Sequence, residues 1–175
     1  TDAAHQELLL GQGLPPKELF LPRQEELFRF EGLREALPEE EFLVCGIRPC
    51  DARALELLDR VFEAEPADPH WTGRRRRALL VGFACTEPCE ASFCVDLGVD
   101  PLEAPGVDLM VLPWEGRAYL WANTDRGHGL LEGAPQEGEL PAGLAEQVRS
   151  RFPRGLPLEG ARRGMEAALA EEGLS

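Results

Sequence analysis

The chain has 175 residues, 43% of them hydrophobic and 29% charged, and its 32 acidic against 18 basic side chains give a formal charge of −14. That length suits one domain, or one domain with an appendage, and is enough to bury a real core. The charge argues against a general nucleic-acid binder, because most of this surface would repel a phosphate backbone. No apolar run approaches the roughly 18–20 residues of a spanning helix, and the N-terminus lacks the basic and apolar regions of a signal peptide, so a cytoplasmic protein without a membrane span is expected.

Residues 1–13 carry a short helical pattern around Leu8, Leu9 and Leu10. An opening on Thr1 rather than Met predicts processing or trimming of the N-terminus. After Leu14-Pro-Pro-Lys17, the alternation over Lys17 to Pro22 predicts an edge strand, and Gln24 to Phe30 predicts one or two helical turns. Leu33 to Glu41 reads as an acidic loop.

Two apolar runs then dominate, Glu41 to Arg48 and Ala78 to Cys85, each leading into cysteine. Between them Leu55, Leu58, Val61 and Phe62 fall at helical spacing, with Arg60 and Glu63 on the solvent side. Strand, helix, strand with a crossover of that length predicts two parallel neighbours near 42–48 and 78–84 joined by a right-handed helix near 51–63. The carboxyl ends of such strands share one sheet edge, where open α/β sheets bind ligands, and Cys50 and Cys85 would meet there.

Ala64 to Gly73 reads as a turn-rich connector and Leu97 to Gly106 as loop. Val107 to Pro113 and Arg117 to Asn123 flank Trp114-Glu-Gly116 as a hairpin that extends the sheet. Thr124 to Pro141 is glycine-rich and predicts mobile loop. Helices over Ala142 to Phe152 and Leu158 to Leu174 close the chain. The fold class that follows is α/β: a parallel β-α-β core extended by a β-hairpin, with peripheral helices at the C-terminus. Residues 1–140 are expected to form the α/β domain, and 141–175 a C-terminal helical segment that either packs peripherally or leads into a further, ferredoxin-like domain.

Five cysteines without secretory signals point to metal, redox chemistry or plain burial before a disulfide framework. Cys85-x3-Cys89-x4-Cys94 with Cys50 supplies four thiolates, the number that a 4Fe–4S cluster or a structural zinc site takes, although the spacing is that of neither a ferredoxin run nor a zinc ribbon. Burial as small hydrophobes is the other reading, favoured for Cys45. A third is a thiol-based redox or sulfur-transfer site at Cys50, whose place near a helix N-terminus predicts a lowered pKa.

Arg48 at the strand end faces a bound anion or pairs with Asp51 or Asp59, while Asp51 caps the helix that follows. Arg74, Arg75, Arg76 and Arg77 form the one concentrated basic patch, a surface for an acidic partner or a set of arginines answered by neighbouring carboxylates. His70 and His128 read as ordinary histidines. Abundant Pro, Glu and Arg with Lys17 as the single lysine is compatible with a thermophilic or GC-rich source.

Several of these stretches, taken in order, carry a resemblance. Lys17-Glu-Leu-Phe-Leu-Pro22, Glu26-Leu-Phe-Arg-Phe30, Gly46-Ile-Arg-Pro-Cys-Asp-Ala-Arg53, Leu58-Asp-Arg-Val-Phe62, Asp68-Pro69 before Arg74-Arg75, Cys85-Thr-Glu-Pro88 and Phe93-Cys94 followed by Gly98 resemble the β subunit of soluble NAD(P)-linked hydrogenases (sulfhydrogenases) and its relatives in anaerobic sulfite reductase. The likeness spans roughly residues 14–113. It implies a subunit that passes electrons through iron–sulfur clusters between a flavin- and NAD(P)-binding partner and a catalytic partner, docked to both. Cys50, Cys85 and Cys94 match family positions, whereas Cys45 and Cys89 are peculiar to this sequence. The family's ferredoxin-type cysteine runs lie downstream of the matched region and do not occur in this chain.

Overall fold

A computed structural model describes residues 15–30, 34–35, 40–89, 92–134 and 138–152. The helices expected over 1–13 and 158–174 lie outside the described residues, as does most of the acidic loop. The elements are α1 (Lys17–Phe20), β1 (Phe28–Arg29), β2 (Arg34–Glu35), β3 (Phe42–Ile47), α2 (Pro49–Phe62), α3 (Pro69–Arg77), β4 (Ala78–Phe83), β5 (Leu109–Trp114), β6 (Arg117–Ala122), α4 (Asp125–Leu130) and α5 (Leu144–Arg149).

Four strands pair in the order β3-β4-β5-β6, and β1 and β2 make a separate antiparallel pair. β3 and β4 are parallel, with Val44 beside Leu80 and Cys45 beside Val81. β4 and β5 are also parallel, and β5 and β6 are antiparallel across the Glu115-Gly116 turn. The α/β class, the parallel pair and the hairpin extension thus hold. No helix among the described residues is long and apolar enough to cross a membrane.

Val44, Ile47, Leu80, Met110 and Leu112 face a core completed by Ala52 and Leu55 of α2, Trp71 of α3, Phe20 of α1, and Leu144, Val148 and Phe152 of the last helix and its end. On the other face, Leu43 and Leu120 are about half exposed. α2 presents Leu55 inward, while Val61, expected on the same stripe, is exposed.

One irregularity directs the edge of the sheet. Gly46 has φ 89° and the β3/β4 register slips between Cys45 and Ile47. A bulge inserts a residue and resets the alternation, so Ile47 turns into the core where Gly46 would otherwise have stood. Arg48, one residue on, is thereby directed outward at the strand's carboxyl end. An L-residue is strained at that φ, which is why glycine occupies the position.

Four local expectations are corrected. Lys17 to Phe20 is a helical turn, because Pro16 takes helical angles (φ −54°, ψ −28°) and starts it, burying Phe20. Gln24 to Phe30 carries no helix, and its end pairs as β1 with β2 inside the expected acidic loop. The connector contains α3: Asp68 caps it, accepting from the N–H groups of His70 and Trp71, and Pro69 fills its first position. The glycine-rich stretch contains α4, capped by Thr124 Oγ1 accepting from Gly127 N–H. Gly127 presses on the hairpin so closely that a Cβ there would lie 1.9 Å from the Asp108 carbonyl oxygen, so glycine at this position answers to close approach rather than to flexibility.

Candidate functional site

The parallel pair delivers its carboxyl ends to one edge. β3 runs through Arg48 and Pro49 into Cys50, the second residue of α2. β4 runs through Ala84 into Cys85, whose N–H donates to the Pro101 carbonyl (2.8 Å). The chain then turns through Cys89 to Cys94, which opens a short 3-10 turn at Val95–Leu97 and accepts from Leu97 and Val99 N–H (3.1 and 3.0 Å).

Cys50, Cys85 and Cys94 come into mutual electrostatic reach there, and Cys89 is felt by Cys85. All are free thiols; Cys89 is exposed and the other three half-buried. Burial pushes the Cys50 thiol up to about 11, with Asp51, Cys94 and Cys85 adding to the rise and Arg48 opposing it. Cys85 is likewise raised by burial first, against the pull of Arg48. The lowered pKa expected of Cys50 at a helix start is therefore not met, because desolvation outweighs the favourable helix end. Cys45 stands apart on β3, half-buried and raised by burial.

Arg48 and Asp51 form a clasp over the first turn of α2. Asp51 Oδ2 accepts from the Arg48 backbone N–H (3.2 Å) and from its Nε (3.1 Å). The carboxylate thus reaches back to the residue before the helix, as expected of Asp51, and the guanidinium, about 60% exposed, stays beside the cysteines.

Most of the basic patch is used inside the fold. Arg75 forks onto Asp59 (2.8 and 2.7 Å), which also accepts from Trp71 Nε1 (2.8 Å). Arg74 pairs with Glu25 and donates to the Phe20 carbonyl. Arg77 donates to the Gly73 carbonyl, and Arg76 is exposed. His70 is buried, with Nδ1 2.8 Å from Glu25 Oε1 but too far off line for a hydrogen bond. His128 is exposed.

Sequence reasoning missed a groove of about 770 Å³ between α2, residues 98–106 and the β5/β6 hairpin, floored by Met110 and Trp121. Its residues come from five separate segments, so no local pattern announces it. Arg53 pairs with Glu56, and Arg149 with Asp100 and Glu103, so the rim charges that would select a ligand already answer one another.

The sulfur donors that this edge offers are Cys50, Cys85, Cys94 and Cys89, and burial raises the thiols of Cys50 and Cys85. As placed, no three His, Cys, Asp or Glu among the described residues stand close enough together to hold a metal ion.

No family model matches the chain, and no solved structure matches it. Among curated proteins, sulfhydrogenase 2 subunit beta of Pyrococcus furiosus is 31% identical over 125 residues, a match that takes in 64% of this chain and 37% of that one. The chain therefore spans little more than a third of that relative's length. Over the matched stretch the chain is similar to a hydrogenase β subunit, in agreement with the motifs read in the sequence.

Proposed function

From this homology to a sulfhydrogenase β subunit, we propose that the chain is a subunit or domain of an iron–sulfur oxidoreductase complex, passing electrons and docking its neighbours rather than binding substrate. The observation that supports the reading is that Cys50 and Cys85 follow the carboxyl ends of two adjacent parallel strands, with Cys94 near enough to act on the charge of both. With Cys89 they would hold a 4Fe–4S cluster, which supplies one-electron transfer when bound. The chain's own part is to deliver the thiols from two adjacent strand ends and to seat them partly out of water. The partners this reading implies are one protein that binds flavin and NAD(P) and another that carries the catalytic centre. Arg76 is the exposed remnant of the basic patch available to an acidic one.

Anaerobic iron and sulfide analysis, with absorption near 400 nm, tests it. Wild type is expected to be brown, with about four irons per chain, and Cys50→Ser and Cys85→Ser are expected to lose most of that iron. In the same preparations, Arg76→Glu should weaken co-purification with the partner proteins, most at low salt. Colourless wild type, or iron indifferent to both cysteine changes, would overturn the cluster.

The absence of a three-ligand cage among the described residues favours a second reading, a structural or interaction module whose cysteines are buried rather than metal ligands. Colourless protein free of iron would establish it, and stoichiometric zinc would instead mark the zinc-binding form of such a module. A thiol-redox enzyme using Cys50 is disfavoured, since a thiol pushed up to about 11 carries little thiolate near neutral pH.

A further inference from the structure

The four-stranded sheet has two apolar faces, and the core described above fills one of them. On the other, strand register puts Val81 beside Leu109, and Phe83, Val111 and Leu120 in a row across β4, β5 and β6. None of these belongs to the core cluster, and every side chain that register places on this face is uncharged. Val81 and Leu109 are buried in its middle, but Leu43 at one edge is 50% exposed and Leu120 at the other 47%. Parallel strands carry apolar side chains on both faces because both are normally covered. Here, among the described residues, α4 reaches the face at Ala122 and the edges are left open.

We propose that this face is the docking site of the chain's own segment 158–174, packed across it as an amphipathic helix. The pattern of the segment fits: Leu158, Ala161, Met165, Ala168 and Leu169 fall on one stripe at helical spacing, with Glu159, Arg163 and Glu166 spaced to pair along another. The route fits as well. Arg151 lies over the Trp114 ring, 4.4 Å from its centre, and pairs with Glu87, so the last described residues stand at the carboxyl edge, beside the β5/β6 turn. Extended backbone from Phe152 to Leu158 spans about 20 Å, enough to pass from a layer about 10 Å on one side of a sheet to one about 10 Å on the other. Pro157 suits the start of the helix it precedes.

Size decides between this occupant and a second protein. Strands of 6 residues each, four abreast, offer a face of about 15 by 20 Å, or about 300 Å². A helix over 158–174 is about 25 Å long and about 10 Å wide, which matches that face. Each partner in a standard protein interface buries about 800 Å², well beyond what the face presents. The segment is then a layer of this domain rather than a free tether, and partner proteins dock elsewhere.

Hydrogen–deuterium exchange of the full chain, followed peptide by peptide, is the test. Amides of 158–174 are expected to exchange about tenfold or more slowly than in an unfolded chain. Leu120→Asp and Leu43→Asp each put a charge on the face, at opposite edges and at half-exposed positions that a bare face would tolerate. Either change should remove most of the protection over 158–174 while α2 keeps its own, so one variant suffices if the other fails to fold. Leu140→Asp, in the groove on the other side of the sheet, should leave that protection unchanged. Rapid exchange over 158–174 in wild type, or protection that ignores both charges, overturns the proposal. So does protection lost in Leu140→Asp alone, which would seat the segment in the groove, and so does a dimer seen by light scattering that Leu120→Asp splits, which would make a second copy the occupant.

Discussion

The two ends of the four-stranded sheet differ in how completely their polar groups are answered. At the amino end, Asp108 is buried, yet one carboxylate oxygen accepts from Leu80 N–H (2.8 Å) and the other from Thr124 Oγ1 (2.7 Å). Close by, Asp59 binds the Arg75 fork and the Trp71 indole, and Arg126 donates to the Arg76 and Ala78 carbonyls where α3 ends. At the carboxyl end, three half-buried thiols press on one another beside a guanidinium only partly engaged. Buried polar groups that are fully paired stabilise a fold, while groups held close without partners mark a place where stability has been given up for something else.

The sharpest way to break that contrast is at the amino end. Asp59→Ala leaves Arg75, whose side chain is 14% exposed, without its counter-charge and Trp71 Nε1 without an acceptor. The expected loss is about 3 kcal/mol in urea unfolding of the metal-free chain, as for other broken buried ion pairs. Gly127→Ala should cost about 2 kcal/mol, since its Cβ meets main chain of Asp108 that cannot turn aside and α4 must lift from the hairpin. The smallest change belongs to the carboxyl end: Cys50→Ala or Cys94→Ala in the metal-free chain should stay within about 1 kcal/mol, because only a small, half-buried side chain is removed. A cysteine loss as large as that of Asp59→Ala would make the carboxyl end structural and erase the distinction.

How far these features can be read in advance depends on how local they are. The parallel pair was legible because Phe42 to Ile47 and Ala78 to Phe83 are apolar runs separated by one amphipathic helix, and a crossover of that length leaves few other arrangements. Cys50 and Cys85 could be placed at one edge for the same reason. Helix α3 was also readable, since Asp68-Pro69 is a cap followed by a proline suited to the first turn, but four consecutive arginines hid its apolar face. Nothing in the glycine-rich run before Pro141 announces α4, whose Gly127 serves close packing rather than flexibility.

The sequence by itself determined the strand–helix–strand order, the hairpin, and the motifs that resemble a hydrogenase β subunit, because each is encoded by residues near one another in the chain. Only the tertiary structure decided how charges and thiols interact across the chain. Two of the four arginines in the basic patch are committed to Asp59 and Glu25, and the Cys50 thiol is raised rather than lowered. The charge of Arg48 acts on Cys85 as well as Cys50. Electrostatic coupling depends on distance and burial, and both are set by how the strand ends pack rather than by spacing along the chain.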